Sequence, residues 1–233
     1  MKIAICQLIT PNIDAFAKYS SASILAYCKK HHYSYFIQRD KLIDNLHINW
    51  TKIRLVEQLL DKGYDYVTLI DADILLTDIN RSVESFIKDD QVVITMVEDT
   101  HLFIKSRPNA GFILIKNNHD GKKLIKMWLD AAYSDTVLAD KHPRNQRIYW
   151  KYVQPFYREK QHLIPYKYIS KYFFWFNKFL KGGKFAYHFD QTNNKVRSMY
   201  MGKEYYRMQY SEIELGTTKE VLSQKKGLVE VLS

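Results

Sequence analysis

The chain has 233 residues, of which 46% are hydrophobic and 15% aromatic, with only eight glycines and five prolines. That is the length of one domain with material for a full core, and it excludes a linker-rich or low-complexity chain. A net charge of +10 favours acidic partners such as nucleic acid, an anionic membrane or phosphorylated substrates, and does not choose among them.

Taken in chain order, residues 2–9 form an apolar run that stops at Thr-Pro-Asn. It reads as a first strand and not as a signal peptide. Residues 14–30 read as a helix with Phe16, Tyr19, Ser20, Ser23, Ile24 and Tyr27 on one face, and 33–38 as a second strand. A helix over 51–62 carries the stripe Ile53, Val56, Leu59, Leu60 and stops at Gly63. Strand 65–70 runs into Asp71. Short buried strands at 92–97 and 111–116 precede an amphipathic helix over 120–133. Strand and helix alternate, so the expected fold is α/β, a central, mostly parallel, mixed sheet flanked by helices.

Beyond residue 134 the pattern loosens. A polar helix is expected near 143–153, and a strand near 184–188 closes an aromatic, basic stretch over 166–189. That stretch suits either an interfacial membrane contact or core plus an acceptor groove, with the second favoured. Residues 213–233 read as a C-terminal tail with helical character, after a main domain over 1–212. Cys6 and Cys28 lie in apolar surroundings without metal-ligand spacing, so no disulfide framework is expected and a reducing, cytoplasmic setting fits. No run approaches the roughly 18 apolar residues of a spanning helix.

The chemistry centres on "YDYVTLIDADILLTD", where Asp71 and Asp73 follow a buried strand. Roughly one D-x-D arises by chance in a chain this long, so the motif alone is weak. Its place is stronger evidence, because parallel sheets bind ligands beyond the carboxyl ends of their strands. Two carboxylates at that spacing can hold Mn²⁺ or Mg²⁺ with positions left for phosphate oxygens. The competing reading is a capped turn with solvated acids.

The order of segments carries further information. Trp50-x-Lys52 opens the helix before D-x-D, "RPNAGFILIKN" supplies Asn109-Ala110-Gly111 at a strand, and "FAYHFDQTNNK" supplies His188 with Lys195 seven residues later. Over residues 2–200 this resembles the GT-A nucleotide-sugar glycosyltransferases. The nearest likeness is to retaining galactosyl-, mannosyl- and xylosyltransferases, with glycogenin-like enzymes further off. The resemblance implies a hexosyltransferase-type enzyme of polysaccharide biosynthesis with a UDP-linked sugar donor and a glycan acceptor. It implies that Asp71, Ala72 and Asp73 hold Mn²⁺ (or Mg²⁺) and the donor's diphosphate, and that His188 completes the metal site. Lys195 matches a phosphate-binding lysine, with Arg197 as its rival because the spacing from His188 is one residue longer than in glycogenin-like enzymes and the usual glycine in between is missing. Lys52 matches a donor-contacting lysine, with Arg54 as competitor, and Leu8 and Thr10 frame the base. Asn109, Ala110 and Gly111 line the donor sugar.

Relatives carry Asp-Gln where this chain has Asn145-Gln146. The resemblance turns Gln146 toward the anomeric carbon and makes Gln146, Asn145 and Asn109 the catalytic group. Without a carboxylate at 145 a front-face route is favoured over a covalent double displacement, although Asp99 and Asp190 are unassigned acids that can serve an inverting enzyme. Two other classes compete: a basic nucleic-acid-binding module, opposed by the spread of the lysines along the chain, and a Mg²⁺-dependent nucleotidyltransferase. On balance no nucleic-acid partner is expected, and any membrane contact is peripheral.

Overall fold

The computed structural model describes residues 1–101, 104–172, 183–190 and 192–233. Its strands are β1 (Ile3–Leu8), β2 (Ser34–Gln38), β3 (Tyr66–Ile70), β4 (Ile74–Leu76), β5 (Ile94–His101), β6 (Ile104–Lys116), β7 (Gln161–Ile164), β8 (Ile169–Lys171), β9 (Ala186–His188) and β10 (Leu228–Leu232). Its helices are α1 (Asp14–His31), α2 (Thr51–Asp61), α3 (His119–Ser134), α4 (Thr136–Asp140), α5 (Asn145–Ile148), α6 (Gln154–Tyr157), α7 (Asn194–Arg207) and α8 (Glu212–Ser223). Seven strands form a mixed sheet in the order β10-β2-β1-β3-β6-β5-β7, and β4-β9-β8 form a second, three-stranded sheet. The fold is α/β, as expected. The antiparallel pairs β5–β6 and β2–β10 are what make the main sheet mixed.

Two compact units divide the chain. The first holds residues 1–6, 41–69 and 86–164. In it β1 pairs parallel with β3, and β5 pairs antiparallel with β6 and parallel with β7. The apolar stripe of α2 is buried at Ile53, Leu55, Val56, Leu59 and Leu60. Helix α3 starts where the Asn118 side chain accepts from the Gly121 N–H, an N-cap, and it buries Leu124, Ile125, Trp128 and Leu129. Trp50 and Trp128 are fully buried, and each indole N–H donates to a main-chain carbonyl, of Ala139 and Asn145 respectively.

The second unit holds residues 7–40, 70–85 and 165–233. Here α1 packs with β4, α7 and α8. The small residues Ser20, Ser21, Ala22 and Ser23 of α1 are buried, which permits close approach, and the Ser20 hydroxyl donates to the Ile74 carbonyl of β4. Cys6 and Cys28 are free thiols; burial pushes both pKa values up, so they behave as apolar core residues.

Three segments differ from the sequence reading. The helix expected near 143–153 is short α5 followed by a wider π-helical turn over Tyr149–Val153. Its start is set by Pro143 and by Arg144, whose backbone lies at φ 39°. Residues 213–233 hold most of α8 and then a strand: Gly227 turns the chain at φ 89°, and β10 pairs antiparallel with β2. The alternating "LVEVL" explains that strand. Residues 173–182 of the aromatic, basic stretch lie outside the described residues.

Two helical glycines predict effects of opposite sign. A Cβ on Gly121 would stand 2.0 Å from the Lys116 carbonyl oxygen, whereas one on exposed Gly216 would meet nothing within 4 Å. Gly121→Ala is therefore expected to destabilise by about 1–3 kcal/mol through overpacking. Gly216→Ala is expected to stabilise by up to about 1 kcal/mol through helix propensity. Urea unfolding of both variants checks the pair, and equal shifts in one direction would refute it.

Candidate active site

Asp71 follows directly on β3, and Asp73 directly precedes β4, with Ala72 buried between them. The turn is held by its own backbone and by α1 and β1. Asp71 O accepts from Ile74 N at 3.0 Å and from Gln7 Nε2 at 3.2 Å, and Gln7 Nε2 also donates to Ser20 Oγ. A buried glutamine in an otherwise apolar strand thus fixes where the two aspartates stand.

β9 brings the third group. It pairs antiparallel with β4 so that His188 lies opposite Ile74, and Phe189 N donates to Asp73 O at 2.9 Å. One ligand atom each from Asp71, Asp73 and His188 lie within 4.8 Å of one another. His188 Nε2 is 3.2 Å from Asp73 Oδ1. The imidazole is buried, which on its own would lower its pKa. The charge and hydrogen bond of Asp73 outweigh this, aided by Asp190 and Asp71, and push it up to about 9. The set is chemically suited to a divalent ion of the Mn²⁺ or Mg²⁺ type: two hard carboxylates and one imidazole, converging from separate elements.

The cation beside this cluster is Arg197, not Lys195. Arg197 Nη2 lies 3.7 Å from Asp73 Oδ2, its Nε donates to Phe189 O at 2.7 Å, and its guanidinium covers the Phe16 ring at 4.7 Å. Lys195, two residues earlier on α7, is exposed. A further pair, Lys171 Nζ and Asp190 Oδ2 at 3.5 Å, comes from the strand partner of β9 and the residue two beyond His188. Sequence reasoning had Asp190 only as an unassigned acid and missed Lys171. A lysine ending a short strand carries no signal of its own. Leu8 ends β1, buried, and Thr10 precedes a short 3-10 turn with its hydroxyl on Asn12.

The remaining expected residues gather in the other unit. The β5–β6 register jumps, so that Met96 faces Ile113 while Val97 faces Asn109. Ala110, Gly111 and Phe112 are thereby left out of the β5 ladder, as in a bulge. Two of the freed N–H groups go to side chains: Ala110 N donates to Gln146 Oε1 at 2.9 Å, and Gly111 N to Asn109 Oδ1 at 2.7 Å. Asn109 Nδ2 makes a long 3.5 Å contact with Asp99 Oδ2. Asn145 Oδ1 accepts from Gln146 N at 3.0 Å. The structure thus joins Asn109, Ala110, Asn145 and Gln146 in one network of amides. Lys52 and Arg54 lie on α2, where Arg54 is engaged by Glu57.

A mixed sheet whose strand β3 ends in an Asp-Ala-Asp turn, with His188 of β9 brought beside it, is the arrangement expected of a GT-A glycosyltransferase. The profile of the nucleotide-diphospho-sugar transferase family matches residues 14–219, and the chain belongs to that family. It is a glycosyltransferase whose donor is a nucleotide sugar. Solved structures of similar fold agree. A glycosyltransferase involved in the glycosylation of the major capsid of PBCV-1 superposes with a TM-score of 0.73 at 14% identity, covering 87% of this chain and 100% of that one. The galactosyltransferase LgtC, in complex with donor and acceptor sugar analogs, gives 0.56 at 11% identity over 86% of this chain and 95% of that one. The glycosyltransferase GlyE of Streptococcus pneumoniae TIGR4 gives 0.55 at 13% identity, with 89% of this chain covering 63% of its length. No curated protein sequence matches the chain. No helix among the described residues is long and apolar enough to cross a membrane.

Proposed function

We propose that the protein is a metal-dependent transferase that moves a hexose or related sugar from a UDP-linked donor to a glycan acceptor with retention of configuration. The observation that carries this is the convergence of Asp71, Asp73 and His188 within 4.8 Å at the end of a buried strand. When bound there, Mn²⁺ (or Mg²⁺) supplies positive charge for the leaving diphosphate. Arg197, fixed by three main-chain and side-chain oxygens besides Asp73, adds a preorganised cation, a role for which exposed Lys195 is less well held. Leu8 and Thr10 frame the base, and Lys52 contacts the donor. Asn109, Ala110 and Gly111 line the sugar, and Gln146 and Asn145 face its anomeric carbon. Amides at 145 and 146 cannot serve as a carboxylate nucleophile, which favours a front-face reaction. All these residues lie within 1–212, and 213–233 serve stability.

The test is a screen of nucleotide sugars with Mn²⁺ by thermal shift, followed by product analysis. One UDP-sugar is expected to raise the Tm, and its turnover to release UDP with an α-donor giving an α-product. Release of pyrophosphate would favour nucleotidyl transfer instead, and no stabilisation by any nucleotide sugar would refute the proposal.

The acid cluster predicts a proton count. Metal-free His188, with its pKa pushed up to about 9, is cationic at pH 7.5, and a metal-bound imidazole must be neutral. Mn²⁺ uptake at pH 7.5 is expected to release close to one proton from this site, falling toward none above pH 9. Without metal the sign reverses. The folded pKa lies above the ordinary 6.5, so the ion pair's stabilisation is complete below about 6.5 and is lost as pH rises through about 9. Calorimetric titration in buffers of differing ionisation enthalpy measures the release, and none at pH 7.5 would count against His188 as a ligand.

A further inference from the structure

By its sequence the aromatic, basic stretch over 166–189 suits either a membrane contact or an acceptor groove, and its two described ends bear on the choice. Lys167 and Tyr168 precede β8, and Lys184 precedes β9. The ends are tied together: Lys184 N donates to Lys167 O at 3.0 Å, and Phe185 N and Ala186 N both donate to Tyr168 O. Two further elements of the same unit bring cations to this place. The Thr77 hydroxyl donates to Gly183 O, which sets the turn after β4 beside Lys184. Arg81 lies in that turn with its guanidinium 5.0 Å over the Tyr168 ring, and Lys167 Nζ stands 5.7 Å from the same ring. Lys30, near the end of α1, donates to Asn80 Oδ1 at 2.6 Å.

Four cations from four places in the chain thus meet around one tyrosine. Lys30, Lys167 and Lys184 are exposed, and among the described residues no carboxylate pairs with any of them. Arg81 is 36% exposed and faces Asp78 at a distant 3.9 Å. In the other unit, by contrast, Lys116, Lys122, Lys126, Lys151 and Lys160 each lie within 3.2 Å of an aspartate. Like charges gathered without acids repel one another, and an anion laid across them offsets that cost. The backbone hydrogen bonds hold the four positions in place before any anion arrives.

The neighbouring sequence indicates which anion. Residues 173–182, outside the described residues, rejoin the chain at Gly183. As sequence, FFWFNKFLKG holds five aromatic side chains and two lysines, a composition suited to a lipid–water interface. A surface for nucleic acid asks instead for aromatic rings open to stacking bases, and the Tyr168 ring carries cations. We propose that Lys30, Arg81, Lys167 and Lys184 form a docking surface for an anionic membrane and take the acidic headgroups of its lipids. Thr77 and Asp73 flank β4 at opposite ends, about 13 Å apart at the usual rise per residue, so a docked molecule holds its metal cluster near the lipid surface.

Binding of the full chain to vesicles is measured by flotation without Mn²⁺ or nucleotide sugar, so the outcome is separate from the reading as a UDP-hexose transferase. The vesicles are phosphatidylcholine alone, or phosphatidylcholine with about a third phosphatidylserine. The chain is expected to float with the anionic vesicles and not with the neutral ones, and to be released as salt rises from about 0.1 to about 0.5 M. Lys167→Gln/Lys184→Gln is expected to weaken partitioning about 25-fold, about fivefold for each cation near the surface. Lys122→Gln/Lys126→Gln removes the same charge from exposed lysines of α3 and is expected to bind as the unsubstituted chain does. Failure to float with anionic vesicles, or equal flotation with neutral ones, overturns the proposal without any variant having to fold. So does an equal loss in the two double variants, which would trace binding to the overall charge of +10. Tighter binding to a single-stranded oligonucleotide than to vesicles, lost in Lys167→Gln/Lys184→Gln, would assign the patch to nucleic acid and overturn the proposal too.

Discussion

Asp73→Ala is expected to lower kcat/KM for nucleotide-sugar turnover by about a hundredfold or more, the loss being at least that seen when groups supporting a metal site are removed. Asp73 joins three parts of the cluster: one oxygen lies 3.2 Å from His188 Nε2, the other 3.7 Å from Arg197 Nη2, and its carboxylate is one of the three converging ligands. Its loss removes a ligand and leaves the His188 imidazole without its nearest carboxylate, while Arg197 stays held by Phe189 O, Asn194 Oδ1 and Thr192 O. Asp73 is also the main influence raising the His188 pKa, so the variant's proton release on Mn²⁺ addition at pH 7.5 is expected to shrink together with its metal affinity. Asp130→Ala, on the exposed face of α3 where the carboxylate pairs with Lys126, is the control and should turn over normally. Equal kcat/KM in Asp73→Ala and the unsubstituted chain would remove the cluster from the mechanism.

The sequence made part of this cluster legible. An apolar strand ending at Asp71 and a second run starting at Ile74 left the two aspartates on a short turn beyond a strand end, where the structure has them. His188 was reachable only through the family resemblance, because nothing local to "FAYHFD" states that β9 pairs with β4. The choice between Lys195 and Arg197 was not decidable from spacing. Both lie in the first turns of α7, where residues two apart point about 200° away from each other. Which one faces Asp73 depends on the helix phase, and that is set by the Asn193 side chain accepting from Val196 N. The bulge that frees Ala110 N and Gly111 N was equally hidden, since a register jump is a property of two paired strands and not of "NAGFILIK" alone. The strand β10 was missed for a related reason: five residues of weak alternation become a strand when β2 offers an edge.

Arg39→Leu is expected to destabilise the protein by about 2–4 kcal/mol, chiefly because three main-chain carbonyls lose a buried donor, the Asp14 carboxylate being 34% exposed and its ion pair correspondingly weakened by solvent. Arg39 is fully buried, and its guanidinium meets both oxygens of Asp14 at 2.8 and 2.9 Å. It also donates to the carbonyls of Ile9, Leu222 and Gln224. Two of those carbonyls stand at the end of α8, where the last turn of any helix lacks intrahelical partners and favours a cation. One side chain at the end of β2 therefore satisfies the start of α1, the exit of β1 and the C-terminus of α8, while Arg39 N itself donates to Gly227 O just before β10. A lysine has the charge without the planar fork, so Arg39→Lys should recover only a fraction of the loss. Urea unfolding checks both variants, and a loss under about 1 kcal/mol for Arg39→Leu would show that solvent replaces the guanidinium at little cost. Deleting 213–233 removes two of the carbonyl acceptors and the β10 edge together. It is expected to cost at least as much as Arg39→Leu, although no proposed ligand of the metal or the sugar lies in that segment.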